Sequence, residues 1–186
     1  MNEFIKCLYE NDWAIYEENS KYHISTACLT TNESLKSSII DLLADWIEKI
    51  QPASIICISE GMDEAIFTLT TWISLKLGKP FYTYNLDEPR NPLIIESNIS
   101  DCTLLLPYTY GENQILENLK FIENLGGYIK QIIVVVNESE NIRKICENKK
   151  IDLVEFFSIL EIINKLTKID SPKSQKIVSQ LIQNHI

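Results

Sequence analysis

Apolar residues recur along the chain at two spacings, one typical of helices and the other typical of buried strands. Stripes of apolar residues three and four positions apart begin at Leu35, Met62 and Ile115, and they predict three helices. Continuous apolar runs alternate with these stripes, as expected for strands covered on both faces, at 54–58, 103–106 and 129–136. The alternation predicts an α/β fold with a mostly parallel central sheet flanked by helices.

Shorter patterns predict the remaining elements. The further helices are expected at 2–10, 142–148, 159–166 and in the segment after 172. The further strands are expected at 13–17 and 21–25, which form a hairpin, and at 81–84, 93–96 and 151–156. Helix ends are marked by Asn32 and Ser158 as N-caps, and by Gln51, Gly78 and Gly126 as stops.

The chain shows no internal repeat, low-complexity segment or linker, so we expect one domain over 1–186. Its first part, 1–30, is expected to form an N-terminal hood of helix and hairpin, and 168–186 a C-terminal helix. The N-terminus lacks a signal-peptide pattern, and no apolar run approaches the roughly 20 residues that span a bilayer. We therefore expect a cytoplasmic protein that does not enter a membrane.

Composition excludes several classes of function. The 26 acidic residues outnumber the 17 lysines and arginines, and the net charge of −9 disfavours nucleic acid as a partner. The five cysteines are odd in number and form no CxxC pair, and the two histidines lie far apart. Neither a disulfide framework nor a metal site is expected, and Cys57, inside an apolar run, is expected to be buried.

Ligands of parallel α/β sheets bind in a crevice at the carboxyl ends of the strands. Two turns are expected to border this crevice, at 59–63 and 107–113, and a loop at 85–91 lies between them in sequence. The candidate ligand-binding residues are Ser59, Glu60, Gly61, Met62, Asp63, Arg90, Tyr108, Thr109, Tyr110, Gly111, Glu112 and Asn113.

The order of these elements resembles that of orotate phosphoribosyltransferases, in the type I phosphoribosyltransferase family, over nearly the whole chain. The strand, glycine-containing turn and helix of 53–80 end in Leu77-Gly78-Lys79-Pro80, where the family has the same turn. The likeness continues through Gly126-Gly127, the strand with Val134-Val135-Val136, and 154–162. The resemblance implies a phosphoribosyltransferase fold with an N-terminal hood, and a homodimer.

The resemblance also shows what the site has lost. Members of the family bind phosphoribosyl pyrophosphate with two adjacent acids after a strand, followed by a Thr- and Gly-rich turn. Thr109 and Gly111 match that turn loosely, whereas Leu105 and Leu106 occupy the positions of the acids. The family's mobile loop supplies Lys and His, but Arg90 is the only cation at 85–91.

Acidic residues at the two helix starts also disfavour a phosphate ligand. Glu60, Asp63 and Glu64 precede one helix and Glu112 precedes the other. A carboxylate about 4 Å from a phosphate charge costs about 4 kcal/mol at an effective dielectric constant of 20, or about a thousandfold in affinity. The alternative interpretation is that these acids merely stabilise helices.

The two tyrosines beside Thr109 have two interpretations. Tyr108 and Tyr110 either stack on a base or fill a vacated pocket, and we expect at least one ring to occupy the former sugar-phosphate volume. Small residues would let backbone amides approach a phosphate closely, whereas two phenol rings take up that space.

Three functional hypotheses follow. The first is a catalytically inactive phosphoribosyltransferase homologue that is retained for binding a small molecule, a nucleotide or a protein. The second is an active orotate or nucleobase phosphoribosyltransferase with an atypical site that uses Thr109, Gly111, Asn113 and Arg90, and only this one needs magnesium. The third is a structural subunit that pairs with an active paralogue.

Overall fold

The computed structural model describes residues 3–18, 20–59, 64–85, 101–109, 112–139 and 141–183, and at 13, 18, 59, 64, 84, 85, 107, 108 and 112 it describes the backbone alone. The strands are β1 Ile15–Glu18, β2 Lys21–Ile24, β3 Ser54–Ser59, β4 Phe81–Asn85, β5 Cys102–Thr109, β6 Ile129–Asn137 and β7 Asp152–Ser158. The helices are α1 Glu3–Glu10, α2 Glu33–Ile50, α3 Glu64–Leu77, α4 Glu112–Asn124, α5 Asn141–Lys149, α6 Ile159–Thr167 and α7 Pro172–Gln183.

A five-stranded sheet in the order β4-β3-β5-β6-β7 forms the centre of the fold, and every neighbouring pair in it is parallel. The strands β1 and β2 form a separate antiparallel hairpin. The α/β prediction and the N-terminal hairpin are thus confirmed. The predicted strand at 93–96 lies outside the described residues.

The predicted helix ends have the expected local chemistry. The Asn32 side chain accepts a hydrogen bond from the amide of Leu35 at 3.0 Å, which satisfies one unpaired donor in the first turn of α2. Ser158 caps α6 in the same way, through the amide of Glu161 at 3.2 Å. Gly78, which ends α3, has φ of 62°, a conformation that glycine adopts without steric cost.

Two predicted boundaries were wrong. The chain from Asp12 to Ala14 forms a short 3-10 helix, so β1 begins at Ile15 instead of residue 13. The strand β5 continues to Thr109, so residues 107–109 belong to the strand and not to a turn. Pro107 is tolerated there because the pairing of β5 with β3 ends at Leu105, so that among the described strands β6 alone continues beside it.

Two hydrophobic cores cover the two faces of the sheet, because successive strand residues point to opposite sides. On β5, Leu105 packs into one core and Leu106 into the other. The first core also includes α1, whose Phe4 ring stacks on Phe157 of β7 at 4.2 Å between centroids. The N-terminal elements therefore share a core with the sheet, and Cys57 is buried in it as predicted.

Among the helices of the described ranges, none is sufficiently long and apolar to cross a membrane.

Candidate functional site

The strand order places a topological switch point between β3 and β5. The chain leaves β3 for β4 on one side and later returns as β5 on the other side, so the connections diverge at the carboxyl ends of these two strands. Ligands of open α/β sheets bind at such a point. Ser59 ends β3 and Thr109 ends β5, so both predicted turns begin at this edge of the sheet.

The predicted crevice residues divide into two groups. Tyr108, Thr109 and Ser59 are strand residues, Glu112 begins α4, and Asn113 is exposed in its first turn. The others lie outside the described residues: Glu60, Gly61, Met62, Asp63, Arg90, Tyr110 and Gly111. The expectation for the tyrosine rings likewise concerns side chains outside the described part of the chain.

Thr109 is the one candidate whose side chain is both described and buried, and its hydroxyl is occupied. It is 0% exposed and donates a hydrogen bond to Oδ1 of Asn137 at 2.7 Å. The two residues are direct neighbours in the parallel pairing of β5 with β6. The Asn137 Oδ1 also accepts the amide of Ser139 at 2.9 Å. The hydroxyl of Thr109 therefore holds two strand ends together.

The same network continues across the sheet edge to β7 and α5. Asn137 donates from Nδ2 to Oε1 of Glu155 at 2.8 Å. Arg143 of α5 donates from Nε to both Glu155 oxygens, at 3.1 and 3.2 Å, and a further ion pair joins its Nη2 to Oε2. The Glu155 side chain is 11% exposed and that of Arg143 67%, so the guanidinium neutralises a nearly buried carboxylate. This pairing raises the pKa of Arg143.

A second carboxyl group follows directly after β6. Burial raises the pKa of Glu138 from its ordinary 4.5 to about 7, although the positive charge of Lys21 on β2 opposes the shift. Desolvation disfavours the ionised form, so this side chain is partly protonated at neutral pH. Near the ends of β5 and β6, the described side chains thus contribute one titrating acid and a closed hydrogen-bond network.

Leu105 and Leu106, which the resemblance matches to the paired acids, lie inside the strand. They are 0% and 2% exposed and pack into opposite cores, four and three residues before the end of β5. An ionised carboxylate at either position would be surrounded by apolar side chains, at a cost of several kcal/mol. These positions contribute packing and offer no ligand for a ribose hydroxyl.

The described side chains at this edge offer few free groups for a magnesium ion or a pyrophosphate. Among the described residues, no group of three His, Cys, Asp or Glu side chains could hold a metal ion. The oxygen donors of Thr109 and Asn137 are bonded to one another, and the nearby guanidinium of Arg143 is bonded to Glu155. The active-enzyme hypothesis would have to draw its cation and phosphate contacts from other groups.

Four of the five cysteines are buried thiols. Burial raises the pKa of Cys102 to about 12 and that of Cys146 to about 11, and it also raises the pKa of Cys28. Cys7 is half-buried and receives a hydrogen bond from Nδ2 of Asn11 at 3.5 Å. A thiol that stays protonated is a poor nucleophile, so the buried cysteines act as small apolar residues.

Sequence reasoning missed Asn137, Glu138, Glu155 and Arg143. One signal could have identified the first two: they follow the most apolar strand of the chain directly, at the edge where ligands bind. Glu155 and Arg143 carry no such signal, because their meeting depends on how α5 packs beside β7.

Solved structures of similar fold include a UMP synthase and phosphoribosyltransferases that act on orotate or adenine. A UMP synthase of Leishmania donovani matches with a TM-score of 0.69 and 14% identity, over 97% of this chain and 42% of that one, so the chain spans less than half of that protein. The orotate phosphoribosyltransferase of Aeropyrum pernix matches with a TM-score of 0.66 and 16% identity, over 88% of this chain and 99% of that one. The adenine phosphoribosyltransferase of Leishmania tarentolae matches with a TM-score of 0.61 and 13% identity, over 83% of this chain and 87% of that one.

No protein-family model and no curated protein sequence matches the chain. At 12–16% identity the structural matches establish the fold, and the chain has the orotate phosphoribosyltransferase-like fold that the resemblance implied.

Proposed function

We propose that the protein is a non-catalytic member of the phosphoribosyltransferase fold that binds a small ligand lacking pyrophosphate at the carboxyl edge of its sheet. One observation carries the proposal. The Thr109 hydroxyl, in the segment that resembles the family's phosphate-binding turn, is fully buried and bonded to Asn137. A buried hydroxyl that joins two strands cannot also hold a phosphate without breaking that bond.

The charges near this edge support the same conclusion. Glu138 and Glu155 contribute acid groups, the guanidinium of Arg143 is bonded to Glu155, and Lys21 acts on Glu138 only as a nearby positive charge. A pyrophosphate carries several negative charges, and the guanidinium that could meet it at the β7 end is already bonded to Glu155. A neutral or hydrogen-bond-donating ligand, such as a nucleobase or nucleoside, is better suited to a carboxyl group that titrates near pH 7.

A calorimetric screen tests the proposal. Phosphoribosyl pyrophosphate with magnesium and orotate form one arm, and nucleobases, nucleosides and nucleoside monophosphates form the other. We expect saturable binding only in the second arm, and we expect the Thr109→Val variant to retain it because this hydroxyl serves the fold. Binding of phosphoribosyl pyrophosphate that is lost in the same variant would overturn the proposal.

The active alternative draws support from Asn113, which is exposed in the first turn of the 13-residue helix α4. Unpaired amides at a helix start attract phosphate, and an exposed amide side chain there can add a contact. Under this alternative, Asn113→Ala weakens the binding of phosphoribosyl pyrophosphate and Thr109→Val does so too. Under our proposal, neither variant has such binding to lose.

A further inference from the structure

The strand β7 forms an edge of the central sheet. It stands last in the order β4-β3-β5-β6-β7, and among the described residues its backbone pairs with β6 alone. The unpaired N–H and C=O groups of an edge strand can pair with another strand, so natural edges are commonly protected by lysine, proline or a bulge. From Asp152 to Ser158 the strand contains neither lysine nor proline, and its register with β6 is regular from Gln131 to Asn137. This edge is therefore open to a further strand.

An apolar groove borders this edge on one face of the sheet. It has a volume of about 410 Å³ and lies between α2, which contributes Leu35, Leu42 and Trp46, and residues 154–157 of β7. Successive side chains of a strand point to opposite faces, so a groove that borders four in a row reaches the edge of the strand. Leu42 is 46% exposed and Trp46 39%, and neither carries a charge. The groove therefore places an apolar surface beside the open backbone of β7.

A pocket on the opposite face borders the same edge and is acidic. It has a volume of about 460 Å³ between α5 and β7, and α5 packs into the core that does not contain α2. Glu147, Asp152 and Glu155 bring three carboxylates to its lining against the single guanidinium of Arg143, which pairs with Glu155. The two remaining negative charges, on the exposed Glu147 and Asp152, are not balanced by a cation of the lining. Glu155 lines both the groove and the pocket, so the two flank one stretch of the edge.

We propose that the edge of β7 binds an extended peptide as an additional strand, with apolar residues of the peptide in the groove and basic residues in the pocket. A peptide strand added to a sheet gains affinity from main-chain hydrogen bonds, and pockets for its alternate side chains give specificity. The groove and the pocket lie on opposite faces, so they select a peptide in which apolar and basic residues alternate. The net charge of −9 adds a long-range attraction for such a partner.

The charges fix which face of the peptide meets which helix. At the groove, the Lys49 ammonium lies 4.7 Å from the centre of the Trp46 ring. A second cation beside it would be repelled, whereas the same cation in the pocket would meet Glu147 and Asp152. The Trp46 ring and Leu42 can pack against apolar side chains, each of which contributes through the area that it buries. The basic residues of the partner are therefore directed to the α5 side.

A second copy of this chain fits the same edge less well. Two β7 strands paired about a two-fold axis perpendicular to the sheet would keep each face of the sheet on its own side. The acidic pocket of one copy, with Glu147 and Asp152, would then lie next to the acidic pocket of the other. Like charges placed together disfavour an interface. A basic peptide meets no such repulsion, and this difference selects the occupant.

Fluorescence anisotropy with labelled peptides tests the proposal on the full chain, without any small ligand. The probe is a peptide of about nine residues, enough to span the seven of β7, in which lysine alternates with leucine. We expect saturable binding at micromolar concentration. A peptide of the same composition with its lysines in one block should bind at least about tenfold more weakly, because it cannot place each residue type on one face. Equal binding of the two peptides, or no saturable binding of the probe, would overturn the proposal.

Two methylated probes test the added strand itself. In one, the backbone nitrogens of the lysines are methylated, and in the other those of the leucines. Alternate N–H groups of a strand point to opposite edges, so one set faces β7 and the other faces solvent. One of the two probes should therefore lose at least about tenfold in affinity, while the other binds as the unmethylated peptide does. Equal affinities of the two methylated probes would contradict the added strand, because attraction between charges does not depend on which edge is methylated.

Substitutions in the chain locate the site. Leu42→Glu in the groove and Asp152→Lys in the pocket change exposed residues, and each should weaken binding at least about tenfold. Their controls on α4, Leu116→Glu at a leucine that is 38% exposed and Glu117→Lys at an exposed acid, should leave the affinity unchanged. Equal losses for Asp152→Lys and Glu117→Lys would show attraction without a site and refute the proposal. So would a wild-type dimer in light scattering that Leu42→Glu dissociates, because that result assigns the edge to a second copy.

Discussion

The substitution Thr109→Val measures directly whether this hydroxyl belongs to the fold. Valine keeps the branched shape and removes only the hydroxyl, which donates to Asn137 at 2.7 Å with no solvent exposure. Because Asn137 Oδ1 still accepts the amide of Ser139, no acceptor is left without a partner. The cost in unfolding free energy should therefore be about 1 kcal/mol, the value for one neutral hydrogen bond.

The chain offers a matched control on the same pair of strands. Thr103 of β5 is equally buried and donates to Oε1 of Gln131 on β6 at 3.1 Å, at the opposite end of the strand pair. Thr103→Val should also cost about 1 kcal/mol. In thermal unfolding, each variant should lose about 2–4 °C in Tm, as expected for a loss of about 1 kcal/mol in a domain of this size.

A double-mutant cycle isolates the contact itself. Combined with Asn137→Ala, Thr109→Val should show a coupling energy of about 1 kcal/mol, since the two side chains share one hydrogen bond. If Thr109→Val leaves the unfolding free energy unchanged while Thr103→Val lowers it as expected, the Thr109 hydroxyl forms no hydrogen bond with Asn137 in solution. The reasoning that assigns Thr109 to the fold would then be refuted.

Three further predictions concern titration and charge. The pKa of Glu138 is about 7 in the folded chain against an ordinary 4.5, so the folded state binds this proton more tightly and the contribution of Glu138 to stability falls as pH rises from about 4.5 to about 7. Glu138→Gln should abolish that slope and add up to about 3 kcal/mol above pH 7 in urea unfolding, and an unchanged slope would contradict the assignment. Arg143→Ala should cost about 1–3 kcal/mol because it leaves nearly buried Glu155 without its charge partner, whereas Lys149→Ala, in an exposed pair, should cost less than about 0.5 kcal/mol in the same assay. In native protein at pH 8, Ellman's reagent should label Cys7 alone at a measurable rate, and rapid labelling of more than one thiol would contradict the burial of the others.

The fold was predictable because its signals are local and agree with one another. The apolar runs became β3, β5 and β6, and the caps Asn32 and Ser158 formed the hydrogen bonds that residues of their type favour at a helix start. The end of β5 was not predictable in this way. Pro107 and Gly111 are residues typical of a turn, yet pairing with β6 keeps the strand extended to Thr109.

The site was less predictable because its contacts depend on register and packing. The sequence indicated Thr109 as a candidate ligand contact, but it did not indicate that the pairing of β5 with β6 sets this residue opposite Asn137. Glu155 and Arg143 are twelve residues apart and lie on different elements, so their ion pair follows from how α5 packs beside β7. The sequence alone shows leucine at positions 105 and 106, where the resemblance places the acids. That Leu105 and Leu106 face opposite cores became apparent only from their place in β5.

We propose above all that this phosphoribosyltransferase fold does not catalyse phosphoribosyl transfer. A magnesium-containing assay with orotate and phosphoribosyl pyrophosphate, followed by the loss of orotate absorbance and the release of pyrophosphate, tests it most directly. Our account predicts no turnover above the rate without protein, for the wild type and for Thr109→Val alike. Turnover of about one per second, an ordinary enzyme rate, would contradict it.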